Sequence, residues 1–459
     1  MYRHVDRNGK GPYSAAVTAV ERAAPELDAP PARARLARAS RVPLLVLTGV
    51  LMVDQADRYL LSAVFPLLKT EFHLSDTRLG SLSAAFLLVA TLGAVPFGVL
   101  VDRTVRTQVA AWGAALWSVA MICTGLATSY GGLFVARMGL GVAESSYTPA
   151  SFSLLTDYYP VQERSRVLGL YQVGAVLGFL GLPLGGLIAT HWGWRAAFEV
   201  YALPGFVLAV LTWRLREPRR GAADRAGRGL QAQELPTSRF AAMGAGAGIA
   251  HVLRIPSVTV SLLTNSLAIF FTSGLGIWAT TFLVRYHGMS LTRATASTSL
   301  LAVGAIVGMI WGGRLSDRLI GGGRHAARVE VAAAAQVAGV FLLVPAFAVH
   351  STPLMLVLFA VGAVTLTMPN APLAALRADV VHPDLRGRAA SVAAILSAGA
   401  AAGSPLCIGL LSDAFGLRAA LLLLLPLMGI GGVVLAMVGP AVVRPDLDRM
   451  RDELAEGQA

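Results

Sequence analysis

The chain has 459 residues, 55% of them apolar and 14% charged, where a soluble protein carries about a quarter charged. Its net charge of +12 comes from 38 lysines and arginines. These lie between long apolar runs rather than in one patch, which excludes a nucleic-acid partner and a soluble multidomain fold.

Residues 1–42, rich in Ala, Pro and Arg, read as a mobile cytoplasmic tail. Twelve apolar segments follow, at 43–68, 79–101, 108–128, 131–156, 166–190, 195–214, 256–286, 291–313, 327–350, 353–380, 388–412 and 418–440. Each is near the ~20 residues needed to cross a bilayer. The widest interval, 215–255, is rich in charge, glycine and proline and reads as a cytoplasmic linker. It separates two six-helix bundles, 43–214 and 256–440, and a C-terminal tail occupies 441–459. The expected fold is an all-α membrane protein of twelve transmembrane helices in two pseudo-symmetric halves. With the N-terminus inside, 30 basic residues fall on inside segments and 6 on outside loops, which predicts that both termini are cytoplasmic. Cys123 and Cys407 sit inside apolar runs and leave neither a disulfide framework nor metal-ligand spacing.

The first span carries MVDQADRYLL, with Asp54, Asp57, Arg58 and Tyr59 at its centre. On a helix Asp54 and Asp57 lie about 60° apart, and Asp54 and Arg58 about 40° apart. The fourth span adds Arg137 and Glu144, seven residues apart and on nearly one face. Each intramembrane charge costs about 3 kcal/mol on insertion scales, so five total roughly 15 kcal/mol before pairing. These side chains must face each other or water, and pairing between the first and fourth spans is the expected solution. Three carboxylates against two guanidiniums leave a net −1, which one proton neutralises. Asp57 is the first candidate for proton coupling, Glu144 the second, and Asp54 and Arg137 their partners. A fixed salt-bridge scaffold is the competing reading. Against it, the positions 222 residues after Arg137 and Glu144 are Phe359 and Leu366, so the second half does without such charges.

The halves repeat in sequence. Gly98, Asp102 and Arg103 return as Gly313, Asp317 and Arg318; Asp157, Arg164 and Arg166 as Asp379, Arg386 and Arg388; Gly193 and Arg195 as Gly416 and Arg418. Gly98, Asp102, Arg103, Arg106, Asp317 and Arg318 form a candidate cytoplasmic gate, whose acids would latch onto a helix N-terminus or an arginine of the neighbouring helix. The stripes Gly174-xxx-Gly178 and Gly304-xxx-Gly308-xxx-Gly312 read as close helix packing. Asn265, Trp278 and Asn370 are among the few polar groups within the second half's spans, and Asn370 sits between Pro369 and Pro372 at a broken helix. With Arg58, Tyr59, Arg137 and Tyr147 they make the candidate substrate-binding set, because an arginine fork takes phosphate or carboxylate while the apolar wall suits an acyl chain.

No phosphate-binding loop, GxSxG elbow or HExxH is present, and the eight histidines lie in loops, tails or span ends. The reading is a non-enzymatic carrier with no cofactor and no metal, driven by protons or by the substrate gradient. GVLVDRTVR after the second span resembles the loop signature of the major facilitator superfamily, with Val105 in place of its usual glycine. Arg137-Met-Gly-Leu-Gly141 resembles that superfamily's fourth-span motif, and GAVLGFLGLPLGG its antiporter motif with the proline shifted by one. Asp57-Arg58-Tyr59, GVAESSYTPA and Gly193-Trp-Arg195 are similar to the spinster-like branch. The resemblance implies alternating access between parallel six-helix repeats in a bacterial inner membrane. It further implies a monomer, proton coupling at the Asp, Arg and Glu positions, and a lysophospholipid or sphingoid-phosphate substrate. A proton-coupled multidrug exporter and a non-transporting receptor or scaffold remain the alternative readings.

Overall fold

The computed structural model describes residues 41–159, 161–218, 240 and 243–456, and these are α-helical with short connections. Residues 1–40 of the N-terminal tail expected at 1–42 and most of the linker expected at 215–255 lie outside the described residues. Fourteen α-helices are described: α1 (Arg41–Phe72), α2 (Asp76–Arg103), α3 (Arg106–Gly125), α4 (Tyr130–Tyr158), α5 (Val161–Gly178), α6 (Gly181–Trp213), α7 (Ala245–Leu253), α8 (Pro256–His287), α9 (Leu291–Gly321), α10 (Ala327–Ala348), α11 (Thr352–Thr367), α12 (Asn370–Val380), α13 (Arg386–Phe415) and α14 (Leu417–Glu456). Helix is the local solution because a lipid-exposed backbone finds no water for its amides.

Among the described residues nine stretches are long and apolar enough to cross a membrane. One of these, 166–213, has 48 residues, about 72 Å of helix against a hydrocarbon core of about 30 Å. It turns at Gly193, whose φ of 85° and ψ of 159° break α6 into the end of the fifth pass and the whole sixth. Gly416 adopts φ 85° and ψ 152° between α13 and α14, so the repeat seen in sequence is a repeated left-handed turn that favours glycine. The two long helices absent from the nine, α1 and α4, are those that carry the intramembrane charges. Together these make twelve passes.

Within the first half α3 packs on α4 and α6, and α2 on α4; within the second, α10 packs on α11 and α14, and α9 on α11. The same pairs of passes are thus in contact in both halves. The halves meet along α2 with α13 and α6 with α9. Glycine makes these approaches close: a Cβ on Gly304 or Gly308 would strike the carbonyls of Ala360 or Val364 on α11, one on Gly312 that of Met368 just after it, and one on Gly174 the carbonyl of Thr48 on α1.

Two boundaries differ from the sequence expectation. The segment 441–456 is not a separate tail but the continuation of α14, where Asp446 accepts the Ser257 amide at 2.8 Å and caps α8. The end of the linker likewise contains α7, and Arg388 donates to the carbonyl of Met243 at 2.6 Å. Both bury apolar side chains, Val252 and Val443 among them, in a cluster under the second half.

Candidate functional site

The charges of α1 and α4 meet in the interior. Arg137 reaches Asp57 with both terminal nitrogens, at 3.2–3.4 Å, and both side chains are 1% exposed. Arg58 pairs with Glu144 and holds Asp54 more loosely, its Nε 3.6 Å from Oδ2. Gln55 adds a bond to Asp54 at 2.9 Å. The guanidiniums are stacked as well, Arg58 over Phe86 and Arg137 over Phe198. Asp57, the first candidate for the proton, is therefore the carboxylate most fully engaged by arginine.

Between the halves lies a cavity of about 340 Å³. Its first-half wall contains Gln55, Arg58, Tyr59, Ser83 and Arg137, with Phe86 and Phe179; its second-half wall is apolar apart from Thr272, Ser273, Thr298 and Thr367. Those hydroxyls are occupied, Thr272 by the carbonyl of Ala268, Ser273 by Ala401, Thr298 by Ala294 and Thr367 by Ala305. All the charge of this cavity is consequently on one side.

Four of the residues expected to bind substrate are elsewhere. Trp278 is fully buried, donates its indole N–H to the carbonyl of Pro405 at 3.1 Å and packs edge-on to Phe65. Asn265 is buried in α8 away from the cavity. Tyr147 is buried against Asp54 on the far side of α1. Asn370 does begin a helix after a break at Met368 and Pro369, but the carbonyl of Met368 faces Gly312 of α9 rather than the cavity. Spans that are apolar all round carry no hydropathy phase, which is why sequence misplaced these groups. It also passed over Gln55, Phe86, Phe179, Thr298 and Thr367. Phe179, at the break between α5 and α6, stacks on Tyr59 at 4.3 Å beside Arg58.

Of the candidate gate, Asp317 lies 4.0 Å from Arg328 in the first turn of the neighbouring helix α10. Arg103, Asp317 and Arg318 are exposed, Gly98 has open space around it, and the side chain of Asp102 lies outside the described residues. Arg106 is instead buried, bonded to Asp157 and Ser153 of α4 and to Glu217, whose second oxygen accepts the Thr107 amide at 2.9 Å. Burial alone would push the Glu217 carboxyl up, but the Thr107 amide and the Arg106 guanidinium outweigh it and hold the group below its ordinary range. Arg328 pairs with Asp379 in the second half, so the two arginine–aspartate pairs repeat at one offset of 222 residues. Each stays within its own half.

The contacts described between the halves by hydrogen bond or ion pair all lie at the opposite face. There Asp76, at the start of α2, accepts from Lys69 at 2.5 Å, from Arg285 at 2.7 and 2.9 Å and from Ser412 at 2.5 Å. Asp413 accepts the amides of Asp76 and Thr77, each at 2.8 Å, and so caps α2 from across the interface. This latch ties α2 to α8 and α13, and none of its residues lines the cavity. No spacing in sequence announces it, since the partners that meet across the interface are more than 200 residues apart.

Comparison with known proteins agrees with this architecture. Residues 47–398 match the family model of the Major Facilitator Superfamily. The chain is 28% identical over 423 residues to a protein of Mycolicibacterium smegmatis named as an MFS-type efflux pump, covering 88% of this chain and 93% of that one. It is 27% identical over 400 residues to human protein spinster homolog 1, covering 82% and 73%. In structure it resembles a bacterial homolog of the human lysosomal transporter spinster, crystallised in an inward-facing and occupied conformation, with TM-score 0.72 and 22% identity over 89% of this chain and 97% of that one. A D-xylose–proton symporter gives TM-score 0.67 at 16% identity over 86% and 97%. Twelve passes in two repeated halves around a central cavity, and a family match over most of the length, lead to one conclusion: the chain is a membrane transporter of the Major Facilitator Superfamily.

Proposed function

We propose that the protein is a proton-coupled secondary transporter that moves a lipid-like amphipathic anion, of lysophospholipid or sphingoid-phosphate type, by alternating access. The observation that carries this reading is the cavity's division: Arg58 and Arg137 on one wall, apolar side chains on the other. A guanidinium fork recognises phosphate or carboxylate, and the greasy wall receives the chain. The likeness to spinster proteins supports it. The surplus carboxylate of the α1–α4 cluster supplies the proton site, and the cluster gates on Arg58, which belongs to both the ion pairs and the cavity wall. With the arginine-rich loops in the cytoplasm, the Asp76 latch is on the outer face and this is an inward-facing form, in the inner membrane, acting as a monomer. In the outward form the candidate gate around Asp102, Arg103, Asp317 and Arg318 would close in turn.

The efflux-pump name of the M. smegmatis relative favours a second reading, in which Glu144 and Asp57 recognise a cationic drug and the arginines merely pair. Charge preference separates the two. Calorimetric titration with lysophosphatidylglycerol and with an alkyltrimethylammonium of equal chain length should show tighter binding of the anion, and Arg58→Gln should weaken it at least tenfold. Tighter binding of the cation, unaffected by Arg58→Gln, would overturn the lipid reading in favour of drug efflux.

A further inference from the structure

Behind the paired charges, α1 presents a second polar face. Asp54 is 3% exposed and has no part in lining the main cavity. It borders a separate void of about 10 Å³ together with Tyr147 of α4 and Trp117 of α3, within otherwise apolar walls. The Tyr147 hydroxyl stands within reach of the Asp54 carboxyl, yet neither it, nor Asp54 Oδ1, nor Trp117 Nε1 completes a hydrogen bond of full geometry. Their residues are all at least nine-tenths buried. An orphaned buried polar group costs about 1–3 kcal/mol, and a single water bonded to two to four groups removes that cost in roughly this volume.

The charge distribution singles out the same residue. Asp57 takes both terminal nitrogens of Arg137 and Glu144 takes Arg58, so the net −1 of the cluster falls to Asp54, whose ionic contact is the long one from Arg58 Nε. One helical turn beyond Tyr147, about 6 Å along α4, the buried hydroxyls of Ser151 and of Tyr171 on α5 are near each other without a hydrogen bond of full geometry. The polar row thus runs from Asp54 toward the arginine-rich face inside the first half.

We propose that Asp54 holds the proton exchanged during transport, in a water-bearing pocket of the first half that is walled off from the substrate cavity. This rests on the proton-coupled reading above. A proton passes from bulk water along the Tyr171, Ser151 and Tyr147 hydroxyls and the pocket water to Asp54 Oδ1, and no other bond changes. The charged and titratable groups facing Asp54 are Arg58 and Asp57 of its own helix, Tyr147 and, through the arginines, Glu144 and Arg137 of α4, and Tyr171 of α5; α3 and α6 contribute only Trp117 and apolar side chains to the pocket. Arg58 touches both compartments. Neutralising Asp54 releases Arg58 Nε toward the cavity, so proton and anion act on one guanidinium without competing for one site.

Acid-minus-neutral infrared difference spectra of the purified protein, without substrate, test this. Wild type should show the C=O band of a protonated carboxyl, lost in Asp54→Asn and kept in Asp57→Asn and Glu144→Gln. Tyr147→Phe should move the band to higher frequency, as for an acid that loses a hydrogen-bond donor, and this variant decides the matter where Asp54→Asn fails to fold. A band lost with Asp57→Asn or Glu144→Gln but kept in Asp54→Asn, or unmoved by Tyr147→Phe, would overturn the assignment. Because no substrate is needed, a missing band rejects the Asp54 site alone; loss of pH-driven lipid movement with the band intact rejects the carrier reading.

Discussion

Replacing Asp76 by Asn should tilt the protein away from the state seen here. Asp76 is 2% exposed and receives two charge-assisted bonds from Arg285 and one from Ser412, all across the interface between halves. Such bonds contribute about 1.5–3 kcal/mol each, but Arg285 is 29% exposed and solvent screening reduces its share. Lys69, in the same half, loses its partner in both states and does not enter the balance. The net effect on the closed latch is about 2–3 kcal/mol, a factor of roughly 30–150 in population. A 99:1 preference for the closed latch would fall to near parity. Spin labels at Gly131 and Ser351, exposed on the latch face of opposite halves, in a background lacking Cys123 and Cys407, would report this as a second, longer distance. An Asp76→Asn distribution indistinguishable from wild type would refute the assignment of the latch as the contact that sets the equilibrium.

Gly80→Ala should give the same second distance with no charge removed, because its Cβ would strike the Pro405 carbonyl of α13; an unaltered distance would mean that α2 and α13 do not part as proposed. Asp57→Asn should lower stability by about 3 kcal/mol by leaving Arg137 buried and unpaired, and Asp57→Asn with Arg137→Gln should recover more than half of it; equal loss in the double variant would deny that the pair is coupled. Glu217 has its folded pKa below the ordinary 4.5, so its contribution to stability is present above that value and lost as pH falls through the folded one. Thermal unfolding in detergent should therefore show a smaller loss of stability below about pH 4.5 in Glu217→Gln than in wild type, and identical pH profiles would contradict the Arg106–Glu217 arrangement.

What could be read in the sequence follows from the physics of the bilayer. The twelve passes were legible because length and hydropathy are what a membrane demands, and the α1–α4 pairing because five unpaired charges there are prohibitive. The repeat was legible where backbone chemistry forces a residue type, as at Gly193 and Gly416. Helix ends were less so: α1 spans Arg41–Phe72 where the apolar segment covers 43–68, since a helix continues past the hydrocarbon into polar turns. The cavity lining was least legible. Trp278 and Thr298 are equally compatible with an apolar helix in sequence, and only packing shows that Trp278 is held by Pro405 while Thr298 borders the cavity. The latch depended on residues such as Asp76 and Asp413 that look like ordinary helix ends, and their meaning lies in a partner from the other half.

The measurement that tests the central claim most directly is lysophospholipid movement into liposomes containing the reconstituted protein, with and without an imposed pH gradient. The account predicts movement that the gradient accelerates at least tenfold and that Arg58→Gln abolishes. Movement equal with and without the gradient, or none in wild type while a cationic amphiphile is carried, would contradict it.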